Sequence, residues 1–329
     1  MSDRPLITFF VMAYNQERFI REAVEGAISQ TYSPLEIILS DDCSTDRTFE
    51  IMTEMAEAYK GPHEIILNRN ERNLGLVQHV NHVCLGLSHG ELVVLAAGDD
   101  ISVQERVEAI YGAWERTGRK AYAILSGYTH MSLDGGAEET RTFPNEGFVN
   151  ESVAGYLKRN RPIYGPGCVL ACHREVFRTF GPITAAADIE DNTIIVRARL
   201  LGEVLLLKQS LVYWRRAGAV SMAKHRDYMW EQEEKFRRQT REQLLLDLSV
   251  PSVTVCLSKA EVRKTIRIAK AGIALAQTND LSARVMGWLR LIPYCSLQET
   301  IFNFKLIHRR IMWFAFRRRL GIPIRRCTY

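Results

Sequence analysis

Short apolar runs alternate with helical patterns over roughly the first 110 residues, and this alternation limits the possible folds more than any other feature. The predicted strands are Leu6–Ala13, Leu35–Ser40, Glu64–Asn68 and Leu92–Ala97, and the helical stretches between them are Glu17–Ser29, Thr45–Tyr59 and Leu76–Leu87. Strands and helices that alternate at this spacing form parallel sheets through right-handed crossovers. We therefore predict an α/β fold with a mostly parallel central sheet flanked by helices.

The pattern changes after about residue 120. Less regular strands are predicted at Ala121–Tyr128, Cys168–Cys172 and Val204–Trp214, which favours a mixed sheet with inserted loops. Beyond residue 226 the predicted elements are helices, at Tyr228–Leu248, Lys259–Gln277, Leu281–Leu291 and Leu297–Leu320. Because 329 residues exceed a usual single domain, we predict an α/β domain at 1–225 and a helical extension at 226–329.

A pair of carboxylates follows the fourth predicted strand. Asp99 and Asp100 come directly after the run Leu92–Ala97 and Gly98, at the edge where open α/β sheets bind ligands. Two hard oxygen ligands at this place suit a divalent cation that is shared with substrate phosphates. An isolated pair of this kind also serves as a helix cap or fills a turn.

Two more polar turns are predicted at the same edge. The first strand leads into Ala13-Tyr14-Asn15-Gln16-Glu17, where a ring and backbone groups could hold a planar base or Asn15 could cap a helix. The second strand leads into Asp41 and Asp42, in a capping turn or a site. Acidic groups that meet at one edge repel each other unless a cation or polar ligand joins them. The three turns together favour a binding site.

The chain lacks a glycine-rich phosphate loop. Neither G-x-G-x-x-G nor G-x-x-x-x-G-K-[ST] follows the first strand, so the usual backbone cradle for phosphates is missing. The phosphates of a bound nucleotide would then need a metal, and Asp99 and Asp100 are the predicted ligands.

A further acidic cluster, Asp188 to Asp191, begins the helical stretch Asn192–Leu201 and follows the small residues 184–187. Carboxylates favour a helix N-terminus for electrostatic reasons alone. A carboxylate beside a loop of small residues could also take a proton from a hydroxyl nucleophile. The residues alone leave both interpretations open.

Six segments together resemble family 2 glycosyltransferases, whose nucleotide-binding core is the Rossmann-like GT-A fold. They are Val11 to Glu17, Ser29 to Tyr32, Asp41 to Thr48, Asn73 to Leu76, Gly98 to Asp100 and Glu190-Asp191. They follow the family's order and spacing, and the resemblance extends over roughly residues 5–225. It implies a GT-A glycosyltransferase domain over residues 1–225.

The resemblance implies a donor site and a cation site. The implied donor-binding residues are Ala13, Tyr14, Asn15, Glu17, Asp42, Asn73, Asp99, Arg215 and Arg216. Ala13 and Tyr14 would line the base and ribose, and Asp42 would accept a hydrogen bond from a uracil-type imide. Asp99 would contact the ribose or the metal, and Asp99 and Asp100 would hold Mn²⁺ or Mg²⁺.

The resemblance also implies an inverting displacement at the anomeric carbon. Asp191 would be the general base that deprotonates the acceptor hydroxyl, and Glu190 would help to place the acceptor. One carboxylate is enough as a base, because a cation neutralises the nucleoside diphosphate as it leaves.

One segment departs from the family pattern. Many members have a Tyr-Arg-x-His-Gly stretch, whereas this chain has Tyr213-Trp214-Arg215-Arg216-Ala217-Gly218, with Arg216 in place of the histidine. Arginine pairs with phosphate but does not ligate a cation. We predict that Arg215 or Arg216 clamps the diphosphate. The Gln-x-x-Arg-Trp signature of processive synthases is absent from the sequence, which favours transfer of a single sugar.

The net charge of +5 comes from the C-terminal tail. The last thirty positions have no acidic residue and hold eight basic ones, Lys305, Arg309, Arg310, Arg317, Arg318, Arg319, Arg325 and Arg326. Trp and Phe lie between them, which suits a helix on an anionic membrane surface. A terminal helix packed on the core is the alternative; no nucleic-acid module accompanies the tail, and no nucleic-acid partner is predicted. We predict peripheral membrane contact through residues 300–326.

The seven cysteines show no metal-ligand pairing, and their odd number argues against a secreted disulfide framework. The N-terminus also lacks the features of a signal peptide. We therefore expect a cytoplasmic protein on the inner face of the cell membrane.

The expected activity is transfer of one sugar, in the manner of a hexosyltransferase, from a nucleotide-sugar such as a UDP-sugar. The expected acceptor is a glycan or lipid-linked saccharide in cell-surface polysaccharide biosynthesis. Two alternatives are a sugar nucleotidyltransferase and a non-catalytic, membrane-associated assembly protein on a GT-A core.

Overall fold

A ten-stranded mixed sheet forms the centre of the protein in the computed structural model, which describes residues 4–158, 166–184, 187, 190–215, 235, 238–251 and 257–277. The strands are β1 (Ile7–Ala13), β2 (Leu35–Asp41), β3 (Glu64–Arg69), β4 (Leu92–Ala97), β5 (Ile101–Ser102), β6 (Ala121–Met131), β7 (Ala137–Arg141), β8 (Gly147–Phe148), β9 (Leu170–His173) and β10 (Glu203–Arg215). Their order is β3-β2-β1-β4-β9-β6-β10-β5, with β7 beside β6 and β8 beside β10.

Strands β1 to β4 form the parallel part of the sheet. β1 lies between β2 and β4, and Ile7 is level with Leu35 on one side and Leu92 on the other. At the carboxyl ends Ala13 is level with Asp41, and Met12 is level with Ala97. The turns after β1, β2 and β4 therefore begin at one edge of the sheet, as predicted.

The remaining strands make the sheet mixed, which confirms the mixed sheet predicted for the residues after about 120. β9 runs antiparallel between β4 and β6, whereas β6 and β10 are parallel to each other. The short strand β5 follows Asp100 and pairs antiparallel with the end of β10, with Ile101 opposite Tyr213. This pairing brings Arg215 close to the acidic pair.

Helices cover both faces of the sheet. They are α1 (Ile20–Ile28), α2 (Thr48–Ala58), α3 (Leu76–His82, continued by a π-helical turn at Val83–Leu87), α4 (Arg106–Arg116), α5 (Val153–Lys158), α6 (Glu175–Arg178), α7 (Asp191–Leu201), α8 (described at residues 238–247) and α9 (Lys259–Gln277). Helices α1, α2 and α4 bury apolar side chains on one face, and α3, α6 and α7 bury theirs on the other. The sheet is thus enclosed between two apolar layers.

A third apolar cluster joins the C-terminal helices to the α/β core. Leu244 and Leu248 of the α8 region and Ile268 of α9 pack with Val153 of α5 and Val196 of α7. The helix predicted at Lys259–Gln277 is confirmed. The helix predicted at Tyr228–Leu248 is confirmed over residues 238–247, where the structure describes it.

The later predicted helices and the basic tail at 300–326 lie outside the described residues. Within the described part of the chain, no helix is both long and apolar enough to cross a membrane. The prediction of peripheral membrane contact is therefore untested.

Candidate active site

The turns after β1 and β2 are joined by side-chain hydrogen bonds. The backbone N–H of Asn15 donates to Ser44 Oγ at 2.8 Å, and Asn15 Oδ1 accepts from the N–H of Thr45 at 2.9 Å. Asn15 adopts a φ of +53°, a left-handed conformation that Asn tolerates better than most residues. Asn15 therefore fixes the turn after β1 against the turn after β2.

Glu17 strengthens the same junction. Its N–H donates to Asp46 Oδ2 at 3.1 Å, and its carboxylate accepts from the N–H of Arg47 at 3.1 Å. Ala13 is buried at the end of β1, whereas the Tyr14 side chain is 45% exposed. Of the donor-binding residues predicted in this segment, Tyr14 presents a ring to solvent while Asn15 and Glu17 bond to the neighbouring turn.

Asp42 is buried and holds the loop that follows β3. Its Oδ1 accepts from Asn70 Nδ2 and from the N–H of Leu74, both at 2.8 Å, and its Oδ2 accepts from the N–H of Gly75 at 2.9 Å. Asn73 lies in this loop, and its Oδ1 also accepts from Gly75 N–H at 2.9 Å. These donors fix the orientation of the Asp42 carboxylate and leave lone-pair capacity on Oδ2.

Asp100 lies in a buried environment below the sheet edge. Its Oδ1 accepts from the N–H of Arg215 at 2.8 Å, and the thiol of Cys168 lies near enough to the same carboxylate to lower its pKa. Burial and the charge of Asp99 together raise the pKa of Asp100 to about 7. Burial also raises the pKa of Asp99, although the Gln16 side chain donates a hydrogen bond to it. The pair thus lacks enough positive charge to offset its desolvation.

The fully buried Arg106 lies behind this pair, and the sequence analysis did not identify it. Its guanidinium donates to Ser102 Oγ at 2.9 Å and to the carbonyl oxygens of Leu95 and Cys168 at 2.9 and 2.6 Å. Burial lowers the pKa of Arg106 to about 10, so it remains protonated at neutral pH. Arg106 therefore ties β4, β5 and the turn at Cys168 together beneath Asp100.

Arg215 bonds to the protein with its whole guanidinium group. Nη2 donates to Glu22 at 2.7 Å, Nε donates to the carbonyl oxygen of Asp99 at 2.9 Å and Nη1 donates to the carbonyl oxygen of Leu133 at 3.4 Å. The group also lies over the Phe19 ring, 4.5 Å from its centroid. In this arrangement Arg215 supports the acidic turn. Arg216, the other predicted clamp, lies outside the described residues.

The second acidic pair lies at the N-terminus of α7. Glu190 is buried and Asp191 is partly exposed, with Asp191 Oδ1 accepting from the N–H of Asn192 at 2.5 Å. Burial raises the pKa of Asp191 to about 6, and burial together with the charge of Asp191 raises that of Glu190 to about 8. The two groups titrate as a coupled pair with raised pKa values, so one carboxyl group stays protonated near neutral pH while the other ionises.

One tight turn connects the two acidic pairs. A Cβ on Gly167 would lie 3.0 Å from Glu190 Oε1 and 3.9 Å from Asp191 Oδ2, so the backbone passes directly beside that pair. The thiol of the next residue, Cys168, interacts with the Asp100 carboxylate on the other side. The structure thus brings Asp99-Asp100 and Glu190-Asp191 to two sides of one turn.

The residues at the sheet edge fit a divalent cation. Within the described ranges, no group of three or more His, Cys, Asp or Glu side chains is arranged to hold a metal ion. Asp99 and Asp100 would therefore supply two carboxylates, and further ligands would come from substrate or water. A hard cation suits this donor set, and its charge would offset the desolvation that raises both pKa values.

Comparison with known families identifies this architecture. The sequence profile of the family described as Glycosyl transferase family 2 matches residues 8–178, just over half of the chain. The chain belongs to glycosyltransferase family 2. The matched segment includes β1 to β4, the turns at Tyr14 and Asp42, and the pair Asp99-Asp100.

Curated relatives agree with this assignment. EpsE of Bacillus subtilis (strain 168) is 35% identical over 135 residues, which are 41% of this chain and 44% of EpsE. The uncharacterized glycosyltransferase alr2836 of Nostoc sp. (strain PCC 7120) is 23% identical over 305 residues, 89% of this chain and 91% of the relative. The match thus spans less than half of EpsE but nearly all of alr2836. The protein is a glycosyltransferase enzyme.

Solved structures show the GT-A fold. TarS 1-349 of S. aureus in complex with UDP-GlcNAc has a TM-score of 0.54 at 16% identity, over 97% of this chain and 93% of that one. The mannosyltransferase PcManGT of Pyrobaculum calidifontis, in complex with GDP-Man and Mn²⁺, has a TM-score of 0.54 at 15% identity, over 94% and 81%. The predicted GT-A fold is confirmed.

At Gly98 the glycosyltransferase's acidic turn packs closely against the end of β1 and the start of α1. A Cβ there would lie 2.3 Å from Gln16 Oε1 and 3.0 Å from both Ala13 Cβ and Ile20 Cδ1. Gly98→Ala is therefore expected to lower the free energy of unfolding by about 1–3 kcal/mol, as measured by denaturant titration. Gly86→Ala is the control, because a Cβ at Gly86 would have no described atom within 4 Å. Equal midpoints for the two variants would contradict the expected clash.

Proposed function

We propose that this family 2 glycosyltransferase moves one sugar from a UDP-sugar to a glycan or lipid-linked acceptor by a single inverting displacement that requires a divalent cation. The observation that carries the proposal is that two pairs of carboxyl groups, Asp99-Asp100 and Glu190-Asp191, lie on the two sides of the Gly167–Cys168 turn. One pair has the donor set for a cation, and the other contains an ionised and a protonated carboxyl group near neutral pH. Donor activation and acceptor deprotonation need these two chemistries side by side.

The donor would lie along the edge formed by the turns after β1, β2 and β4. Tyr14 offers an exposed ring and Asp42 an oriented carboxylate for the base. Ala13, Asn15, Glu17 and Asn73 would shape this edge through the backbone and the contacts between turns. Complexes of TarS with UDP-GlcNAc and of PcManGT with GDP-Man support a nucleotide-sugar donor.

The cation would be Mn²⁺ or Mg²⁺, held by Asp99 and Asp100, and it would neutralise charge on the donor diphosphate. The complex of PcManGT with Mn²⁺ supports this assignment. Arg216 would add a phosphate contact, because a guanidinium group binds phosphate oxygens directly. Arg215 would not contact the diphosphate but would hold the acidic turn in place through its hydrogen bonds to Asp99 and Asp100.

The acceptor hydroxyl would lose its proton to Asp191. The hydroxyl oxygen then attacks the anomeric carbon, the bond from that carbon to the diphosphate oxygen breaks, and the configuration inverts. Asp191 suits this step because its pKa of about 6 leaves it ionised but still basic near neutral pH. Glu190 remains protonated under the same conditions and can donate a hydrogen bond that places the acceptor.

The proposed setting is cell-surface polysaccharide assembly at the inner face of the membrane. The support is the basic, aromatic-rich sequence of residues 300–326. Such a segment would hold a cytoplasmic enzyme beside a lipid-linked acceptor.

The donor proposal is tested by incubating the full chain with a panel of nucleotide-sugars and measuring release of free nucleotide. We expect release from a UDP-sugar to fall at least about tenfold when EDTA is added, because an unneutralised diphosphate is a poor leaving group. Added Mn²⁺ should restore it.

Two results would favour the alternatives. An absence of heat on titration with UDP and Mn²⁺ would indicate a non-catalytic assembly protein. Formation of a nucleotide-sugar from a sugar phosphate and a nucleoside triphosphate would indicate a nucleotidyltransferase.

A further inference from the structure

Residues 181–184 lie shortly before the catalytic pair Glu190-Asp191, and buried polar side chains from three helices bond to their backbone. This segment is called the acceptor strap below. Strap residues Ile183 and Thr184 donate through their N–H groups, and Gly181, Pro182 and Ile183 accept through their carbonyl oxygens. The backbone bonds of the strap lie at its two ends, where the N–H of Gly181 donates to the carbonyl oxygen of Phe177 at 2.7 Å and the N–H of Ala187 donates to that of Thr184 at 3.0 Å. Between these ends the strap is held by side chains, so the position of its middle depends on them.

Helix α3 provides the first anchor. The N–H of Ile183 donates to Asn81 Oδ1 at 2.8 Å, and Asn81 Nδ2 donates back to the carbonyl oxygen of Ile183 at 2.7 Å. This reciprocal pair is equivalent to a hydrogen-bonded pair of residues in a sheet. Asn81 is itself buried, so both bonds are shielded from water.

Helix α8 provides the second anchor, although it lies about sixty positions further along the chain. Gln243 Oε1 accepts from the N–H of Thr184 at 2.9 Å, and Gln243 Nε2 donates to Asp247 Oδ1 at 2.9 Å. The side-chain amide of Gln243 is therefore held at both ends. One end fixes the strap and the other fixes Gln243 to its own helix.

Helix α7, which begins at Asp191, is joined to the same network through Arg197. Arg197 donates to Asp247 through two bonds of 2.9 and 3.0 Å, and the two side chains are 0% and 2% exposed. Its remaining donor capacity reaches the carbonyl oxygens of Gly181 at 2.8 Å and Pro182 at 3.2 Å. The base-bearing helix, the strap and α8 thus form one polar unit.

A buried ion pair of this kind is weak evidence for stability, since well-packed apolar residues often do as well. The apolar cluster of α5, α7, α8 and α9 already provides non-directional packing between these helices. The hydrogen bonds add direction, because each one specifies the position of a particular backbone group. Position is what a general base needs, since a displacement of about 1 Å can cost about 10²-fold in rate.

We propose that Gln243 and Asp247 are positioning residues for sugar transfer, and that α8 acts through the acceptor strap and Arg197 to set the place of Asp191. The proposal rests on the proposed function, because it assigns these residues to the acceptor side of that reaction. It makes α8 a working part of the active site, even though α8 is distant from the donor-binding edge in sequence.

The test uses Gln243→Met in the full chain, because Met fills a similar volume but removes both hydrogen bonds of the amide. We expect kcat for release of UDP from a UDP-sugar to fall about tenfold, with the affinity for UDP and Mn²⁺ in calorimetry unchanged. Hydrogen exchange at residues 181–191 should become faster, while exchange in β1 to β4 stays as in the wild type. Asp247→Asn is a second variant, which keeps the side-chain shape and replaces the charge.

Leu248→Ala is the matched control. Leu248 is buried in the apolar cluster that α8 shares with α5 and α7, and it follows α8 directly. Its truncation should lower the melting temperature without the selective change in exchange at the strap. A loss of kcat in Leu248→Ala equal to that in Gln243→Met would overturn the proposal, because general destabilisation would then explain both.

Two further results would also overturn it. One is an unchanged kcat in Gln243→Met, and the other is a change confined to the KM for the donor. These outcomes differ from failure of the proposed function, in which the wild-type chain itself would neither bind UDP nor release it from a UDP-sugar. The exchange measurement needs no activity, so an unchanged rate at residues 181–191 would refute the anchoring in either case.

Discussion

Asp191→Asn is expected to lower the rate of sugar transfer by about 10²–10⁴-fold, the range typical of a lost general base. An amide has the shape of the carboxylate but cannot accept the proton of the acceptor hydroxyl. The substitution lies across the Gly167–Cys168 turn from Asp99 and Asp100, so binding of UDP with Mn²⁺ should remain at the wild-type level. Steady-state rates and calorimetry on the same preparation measure the two quantities separately.

The pH profile of the wild type provides an independent check of the same residue. Because the base must be ionised, kcat should rise as the pH passes through about 6, following the raised pKa of Asp191. It should decline as the pH passes through about 8, where Glu190 loses the proton with which it places the acceptor. Glu190→Gln is the matched control, since it keeps a hydrogen-bond donor at the neighbouring position and should cost much less than Asp191→Asn. A larger loss in Glu190→Gln would reassign the base to Glu190.

The second large effect is expected at the cation site. Asp100→Asn should reduce transfer by about 10²-fold or more, because charge stabilisation by a bound cation contributes several kcal/mol. The amide oxygen can still accept from the N–H of Arg215, which bonds to Asp100 at 2.8 Å. The fold at the turn should therefore survive, and the loss should appear as weaker binding of Mn²⁺ in calorimetry.

Asp134→Asn is the control for this experiment. Asp134 is an exposed carboxylate in the turn between β6 and β7, next to Leu133, whose carbonyl oxygen contacts Arg215. It should affect neither rate nor Mn²⁺ binding. An Asp100→Asn protein with full activity and unchanged sensitivity to EDTA would show that the cation is not held by this pair.

The edge of the sheet that carries the site was predictable because its cause is local and periodic. Apolar runs of strand length separated by helices produce parallel strands, and the carboxyl ends of parallel strands meet. The position of Tyr14, Asp42 and Asp99 at one edge follows from that rule. Helix α4 was not predicted, although Val107, Ile110 and Trp114 recur at helical spacing within it.

The supporting residues were not predictable, because their roles depend on contacts between distant segments. Arg106 and Arg197 are wholly buried, yet nothing in the sequence distinguishes them from exposed arginines. Arg215 was expected at the diphosphate, whereas the pairing of β5 with β10 directs its hydrogen bonds to Glu22 and the acidic turn. Gln243 gains its contact with Thr184 only through helix packing.

The bonding around Asp42 has a consequence for the choice of nucleotide. A carboxylate that already receives three N–H donors can act only as an acceptor towards anything placed before it. Uracil and guanine present a ring N–H on their pairing edge, whereas cytosine and adenine present a lone pair at the corresponding nitrogen. If the base lies against Asp42, the ring N–H of a UDP- or GDP-sugar satisfies this acceptor, whereas a CMP- or ADP-sugar offers only its exocyclic amino group as a donor.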